Sequence, residues 1–458
     1  MQTTLASSLI EVRNTGFGWL GIVRIGLVQA SIGALVMLAT TVLNRLMVVE
    51  YALAAAIPAG LVAWHYAVQL GRPLWGHASD RSAASGGSSR TRWIIGGVAV
   101  LGAGGLLATQ ATLMLGTSPV MGFSLALIAY SLIGVGVGAG GTSALALLAS
   151  GVAPQRRAAA AAVTWIMMVA GIVVSAITVG ELLKPFSAER LLLVAGGLAL
   201  VMVAVTVLAT FRLEQQAGQF GHAASDEAAP DFRAAISEIW HEPAARRFTV
   251  FIFVSMIAFS MQDLILEPFA GLIFGMTPGE STQLGGQHQG GILLGMIITG
   301  IGGSAFSGKR PDGLRIWVVC GCLMSAAALG ALGMAALAGP GWPLGINVFV
   351  LGLGNGVFAV AAIGAMMGLA GAGAKTREGV RMGVWGASQA IAFGLGGLTG
   401  AVGVDLSRRA LATDGAAFQL VFTIEAAAFV LAAMLAIKAT GGAAIRAGQQ
   451  NRDGEVYA

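Results

Sequence analysis

The chain has 458 residues, 56% of them hydrophobic and only 10% charged, with a mean hydropathy of +0.81. That composition excludes a soluble globular chain and describes an integral membrane protein. Lys and Arg outnumber Asp and Glu, 26 to 21. In a membrane chain such a surplus records topology, so no nucleic-acid partner is implied.

Residues 1–23 carry Leu9, Ile10, Val12, Phe17, Trp19, Leu20, Ile22 and Val23 around Arg13. They read either as a helix lying on the membrane surface or as a lead-in to the first span, with no removable signal peptide. Apolar runs long enough to cross about 30 Å of hydrocarbon then recur along the chain. They predict twelve spans: 24–47, 52–71, 93–115, 119–149, 159–180, 190–211, 248–274, 286–306, 314–338, 344–371, 380–403 and 416–438. With both termini on the cytoplasmic side, all 26 basic residues except Arg45, Lys184, Arg190, Arg408 and Arg409 fall in cytoplasmic segments, as the positive-inside bias requires. Cys320 and Cys322 in the ninth span are two residues apart and point to different faces, so neither a disulfide nor a metal site is expected.

The longest polar stretch, 212–247, divides the spans six and six. The predicted organisation is therefore a first bundle over 24–211, a cytoplasmic linker over 212–247, a second bundle over 248–438 and a cytoplasmic tail over 439–458. Matching features at a fixed offset indicate a repeat. Gly134 and Gly136 of "LIGVGVG" lie 218 residues before Gly352 and Gly354 of "VLGLGNG", Asn44 lies 218 before Gln262, and Arg157 and Trp165 recur as Arg377 and Trp385. Between spans 2 and 3, "GHASDRSAASGGSSRTR" supplies Gly76, Asp80 and Arg81 followed by Arg90 and Arg92. This resembles the loop motif of the major facilitator superfamily, in which the acid latches helix ends. A plain solvated positive-inside loop is the other reading. The inserted "SAASGG" stretches the motif and leaves the equivalence of the trailing arginines open.

Four segments narrow the resemblance: "LNRLMVVE" (43–50), "QDLILEPFAG" (262–271), "LGLGNGVFAVAAIGAMMGLA" (351–370) and "REGVRMGVWGASQAIAFGLGG" (377–397). They look like the bacteriochlorophyll delivery family, the PucC-type and LhaA-type proteins of photosynthetic bacteria, through essentially all the spans. "WHYAVQLGRPLWGHASD" followed by "TRWIIGG" looks closer to a branch encoded among bacteriochlorophyll-synthesis genes. The resemblance implies an assembly factor of the bacterial inner membrane that binds or delivers bacteriochlorophyll. Light-harvesting polypeptides would be its partners, and bacteriochlorophyll synthase or related late-pathway enzymes in the case of that branch. Two other classes stay open: a proton-coupled small-molecule transporter, and a pigment-free chaperone of light-harvesting polypeptides. No nucleophile–base pair, metal cluster or phosphate loop points to an enzyme.

Candidate residues follow from the cost of polar groups at membrane depth. Asp263 and Glu267 share a face of the seventh span, and three roles compete: pairing with Arg45 of the first span, ligation of a pigment, or proton coupling. Pro268 is expected to bend the helix beside them. Arg45 and Glu50 lie near the outer interface, where anchoring in reach of water and membrane lipids is the plain reading. Oxygen or imidazole donors for chlorin magnesium are His65, Asn44, Gln262, Asn347, Asn355 and Gln389, with interior hydrogen bonding as the alternative for each. Trp165 and Trp385 could stack on pigment or anchor at the interface. The glycines serve close helix packing or offer a smooth wall to a macrocycle. His222, His241 and His288 are expected in loops, without chemistry.

Overall fold

A computed structural model of the chain describes residues 17–72, 75, 89–152, 156–216, 243–307, 313–371 and 378–456. The described backbone is helical. The first helix, α1 (Trp19–Met37), runs on through two π-helical segments, Leu38–Leu43 and Leu46–Glu50. It is followed by α2 (Ala56–Val68, closing in a 3-10 turn at Gln69–Gly71), α3 (Ser89–Leu115), α4 (Pro119–Gly151), α5 (Arg157–Leu182) and α6 (Ala188–Thr210). Beyond a single turn at Leu213–Gln216 come α7 (Pro243–Met261), a 3-10 turn (Gln262–Leu264), α8 (Leu266–Phe274), α9 (Pro278–Ser307), α10 (Gly313–Ala338), α11 (Leu344–Gly371), α12 (Glu378–Ala410) and α13 (Asp414–Val456). Among the described residues nine helices are long and apolar enough to cross a membrane. The protein is therefore a multi-pass membrane protein.

Helix boundaries differ from the hydropathy reading where chemistry other than hydropathy sets them. α9 begins at Pro278, eight residues before its predicted start, because Thr277 and Glu280 form a reciprocal cap. The Thr277 N–H donates to Glu280 Oε2 at 2.8 Å and the Glu280 N–H to Thr277 Oγ1 at 3.4 Å. His288, which the predicted span 286–306 already contains, lies inside this helix and is buried, a correction to its reading as a loop residue. α1 starts at Trp19, inside the segment read as interfacial, and α13 continues to Val456, beyond the predicted end at 438.

The chain forms two compact units, Met1–Met47 with Trp64–Asp226, and Val48–Ala63 with Glu227–Ala458. In the first, α3 packs on α4 and α1 on α5 and α6. The Arg24 side chain of α1 holds the end of α6, its Nε donating to the Ala209 carbonyl at 2.9 Å, where cations suit a helix C-terminus. In the second, α9 and α10 pack on α11, and α7 on α12 and α13. The N-terminus of α2 is capped within this unit: both Asp405 carboxylate oxygens accept, from the Ala55 N–H at 2.9 Å and the Ala56 N–H at 2.8 Å.

Close backbone approach explains the glycines of α4 and α11. A Cβ at Gly134 would meet the His65 carbonyl at 2.7 Å, and one at Gly136 the Leu101 amide at 2.6 Å. A Cβ at Gly352 would run into the His288 carbonyl, and one at Gly354 into Ser325 of α10. Without a hydrophobic drive between helices in lipid, such contact is what holds the bundle together. These four glycines are packing residues, not a wall for a ligand. Replacing Gly352 by Leu is expected to lower stability by about 3 kcal/mol or more. Gly330, with open space around it, is expected to tolerate Ala with a gain of up to about 1 kcal/mol. Thermal unfolding in detergent checks both.

Candidate functional site

A polar interior of the second unit sits where the seventh predicted span breaks. Pro268 has no N–H to offer the Leu264 carbonyl and its ring crowds that oxygen, so a continuous helix cannot pass through. The chain instead makes a 3-10 turn, with the Ile265 N–H donating to the Gln262 carbonyl at 3.1 Å, and resumes as α8 with Phe269 N–H bonded to Ile265 O at 2.9 Å. The bend expected from Pro268 is thus a break, placed at Gln262 and Asp263. α8 ends at Gly275, whose φ of +66° closes a left-handed cap.

Packing fixes the break against α12 and α13. Cβ atoms at Gly396 and Gly400 would collide with Ser260 and the Met261 carbonyl, so α12 lies directly on the backbone just before the turn. Phe269 meets Phe418 and Phe422 of α13 at ring-centroid distances of 5.2 and 5.0 Å. One turn beyond Phe422, this brings Glu425 to the break. Glu425 is fully buried, with the Asp263 carboxyl and the Gln262 backbone as its electrostatic neighbours. Neither of its oxygens has a hydrogen-bond partner, nor does either side-chain amide atom of Gln262, itself fully buried. Asp263 is half-buried, and Glu267 is 4% exposed. Among the described residues of this unit no basic side chain pairs with Asp263 or Glu425.

Glu425 was not among the residues singled out from sequence. Its signal was available, as a lone acid in the apolar run "FTIEAAAF" of the last span.

In the first unit, Asn44 and Arg45 lie between the two π-helical segments of α1, at 1% and 3% exposure. Arg45 is therefore a buried residue, not the snorkelling interface anchor that its position suggested. The widened turn is supported from α4, where the Tyr130 hydroxyl donates to the Ala39 carbonyl at 3.2 Å. Local π-helix is frequent at functional sites. Glu50 is exposed at the end of the second π segment. Burial, and then the Glu50 charge, push the neighbouring Tyr51 hydroxyl above its usual pKa.

The remaining candidates separate. His65 is buried at 2%, its ring 4.2 Å from that of Tyr66. Asn355 is committed to an internal network: its Oδ1 accepts from Ser325 Oγ at 2.8 Å and its Nδ2 lies 3.4 Å from His288 Nε2. Asn347 likewise donates to the Ala328 carbonyl at 2.9 Å and accepts from Trp342 Nε1 at 3.0 Å. These two asparagines knit α9, α10 and α11 and have little left for a ligand. Trp165 is 37% exposed on α5. The side chains of Trp385 and Gln389 lie outside the described residues, as do Gly76, Asp80 and Arg81 of the loop motif. So the structure brings Gln262 and Asp263 together with the unforeseen Glu425, with Glu267 one turn along in α8, and holds Asn347 and Asn355 in a separate network.

Buried like charges repel, so Glu425→Gln is expected to raise the unfolding midpoint in detergent. Ser325→Ala removes the donor to Asn355 and is expected to cost about 1–3 kcal/mol. The Glu425→Gln midpoint tests whether the carboxyl pair is kept for something other than stability, and the Ser325→Ala midpoint tests the Asn355 network.

A family model described as "PUCC protein" matches residues 42–443. Among relatives, the chain is 50% identical to the bacteriochlorophyll synthase 44.5 kDa chain of Rhodobacter capsulatus, over 93% of this chain and 97% of that one. It is 29% identical to Protein PucC of Rhodobacter capsulatus, over 91% of each. Its fold is that of the major-facilitator-like transporters. A crystal structure of the peptide transporter POT in complex with alafosfalin superimposes with a TM-score of 0.67 at 14% identity, covering 94% of this chain and 97% of that one. The uneven identities agree with the branch read from residues 64–97. The chain belongs to the PucC protein family.

Proposed function

We propose that this protein is a membrane assembly factor that takes up bacteriochlorophyll from the last steps of its synthesis and hands it to light-harvesting polypeptides in the bacterial inner membrane. The observation that carries this reading is the break at Gln262–Leu264 in a transporter-like fold. It presents a fully buried Gln262 amide whose side-chain atoms have no partner, beside the half-buried Asp263 carboxyl. Magnesium in a chlorin is a hard cation that takes oxygen ligands axially, and a discontinuous membrane helix is where transporters place their cargo. The relative named as a bacteriochlorophyll synthase chain supports the link to late pigment synthesis. The transporter-like fold supports a carrier, not an enzyme. Partners on this reading are light-harvesting polypeptides and the bacteriochlorophyll synthase that supplies the pigment.

The topology that goes with it is twelve spans in two six-helix repeats with both termini cytoplasmic. Gly134 and Gly352, predicted to correspond, support the repeat because each receives the carbonyl of a buried histidine, His65 and His288.

A second reading, proton-coupled transport, is favoured by one observation: Glu425 and Asp263 are neighbouring interior acids without a basic partner in their unit. The absorption spectrum of the gently solubilised, purified protein separates the readings. Stoichiometric bacteriochlorophyll, reduced severalfold by Gln262→Leu or Asp263→Asn, is the expected result. Colourless protein that takes up a solute under a pH gradient would replace it with the transporter. Colourless protein that still co-purifies with light-harvesting polypeptides would make it a pigment-free chaperone. Esterification of a chlorin by the purified chain alone would make it an enzyme.

A further inference from the structure

Away from the helix break, the first unit contains a cavity of about 280 Å³ lined by Trp75, Arg92, Trp93, Gly96, Val135 and Ala139, among others. Three features of its wall point to a ligand. Two tryptophan rings, Trp75 and Trp93, form its apolar wall. Arg92 is exposed at the rim, and among the described residues nothing pairs with it. The nearby acid is already committed: the Glu214 carboxylate accepts the backbone N–H groups of Arg90 and Thr91 at 3.1 and 3.0 Å. Arg90 in turn donates from Nη1 to Ser150 Oγ at 2.7 Å.

The third feature is Gly96. Its neighbour Gly97 is forced by packing, since a Cβ there would enter the backbone of Gly140, but a Cβ on Gly96 would meet nothing within 4 Å. A glycine inside a helix is destabilising relative to alanine. Packing does not require this one, and it keeps the cavity wall free of a side chain. Gly138 has a complementary task, since its Cβ position lies 3.2 Å from the Trp75 ring and only hydrogen leaves the indole room. The Trp75 and Trp93 rings stand 6.5 Å apart at 48°.

The layout is polar at one end and apolar along its length. Arg92 and Trp93 occupy the first turn of α3, at a membrane interface, and Gly96 and Val100 lead inward along the same helix. We propose that this cavity is a binding site for an anionic phospholipid. The phosphate pairs with the Arg92 guanidinium at the rim, and one acyl chain runs past the Trp75 ring and over Gly96 between α3 and α4. Basic pockets between membrane helices recognise lipid head groups in this manner, and Trp and Arg at an interface suit the boundary of head group and chain. The site is independent of the proposed pigment handling.

The test uses the full chain purified in neutral detergent and titrated with phosphatidylglycerol or with phosphatidylcholine of the same chains, bound lipid being counted by native mass spectrometry. Phosphatidylglycerol is expected to bind at least tenfold more tightly than phosphatidylcholine. Arg92→Gln is expected to abolish that preference, Trp75→Ala to weaken both lipids severalfold, and Gly96→Leu to remove both lipids. Gly330→Leu, at an open helical glycine of the other unit, serves as the control and is expected to bind as the unaltered chain does. Equal binding of both lipids, or phosphatidylglycerol retention unchanged in Arg92→Gln, would overturn the proposal. So would loss of a bound chlorin, and not of lipid, from Gly96→Leu. Should Gly96→Leu fail to fold, the exposed Arg92→Gln change decides the matter alone.

Discussion

In hydrocarbon a backbone N–H or carbonyl that lacks a partner has no water to turn to, and the rest of this structure depends on that constraint. It makes every described element a helix, and it makes helix–helix contact a matter of backbone approach, not of hydrophobic burial. The consequence is visible at Gly134, Gly136, Gly352 and Gly354, where carbonyls and amides of neighbouring helices occupy the space a side chain would need. It also decides where a helix is permitted to break. The turn at Gln262–Leu264 is shielded by α12, which approaches through Gly396 and Gly400, and by the phenylalanines of α8 and α13. A break so covered exposes no backbone to lipid. The glycines of α12 and the proline of α8 are therefore parts of one solution: Pro268 imposes the break and the small residues opposite make it tolerable.

How far the sequence disclosed this depends on which signal each feature left. Hydropathy located the long apolar helices, because twenty apolar residues have no other use at this composition. It failed at the start of α9, whose first two turns, "PGESTQLG", are too polar to score. The T-P-G-E cap that starts the helix was legible nonetheless, and with it the burial of His288. Pro268 disclosed the interruption of the seventh span but not its kind, since a kink and a 3-10 turn share the same cause. The π-helical segments of α1 left no comparable mark, because the support for the widened turn comes from Tyr130, some ninety residues away. Proximity of that kind is a tertiary fact.

The candidate residues divide along the same line. Asn44 and Gln262, paired by their offset, are both buried where a helix departs from regular geometry. The asparagines of α11 were read by residue type alone, and type does not reveal that a neighbouring serine, tryptophan or histidine has already taken their hydrogen bonds. Glu425 was missed for a simpler reason: attention went to acids clustered in sequence, and Glu425 joins Asp263 only through the packing of α13.

That pairing has an energetic consequence. Two interior carboxyl groups in mutual reach, with no cation beside them in their own unit, lower the stability of the folded chain. A glutamine at 425 would have nearly the same volume, keep the option of hydrogen bonding and remove the repulsion. A leucine would go further and match the apolar run around it. Neither change would disturb Phe418, Phe422 or Phe429, which carry the packing of α13. The acid therefore owes its place to something that a neutral side chain cannot do. At a shielded break, beside an amide whose hydrogen-bonding atoms are unclaimed, the tasks that fit are ligation of a hard cation and exchange of a proton. On the proposed reading the same carboxyl pair does both, holding the magnesium of a pigment when charged and releasing it when protonated. A carrier that must give up its cargo needs a group whose affinity can be switched off, and a fixed hydrogen-bond donor at position 425 could not be.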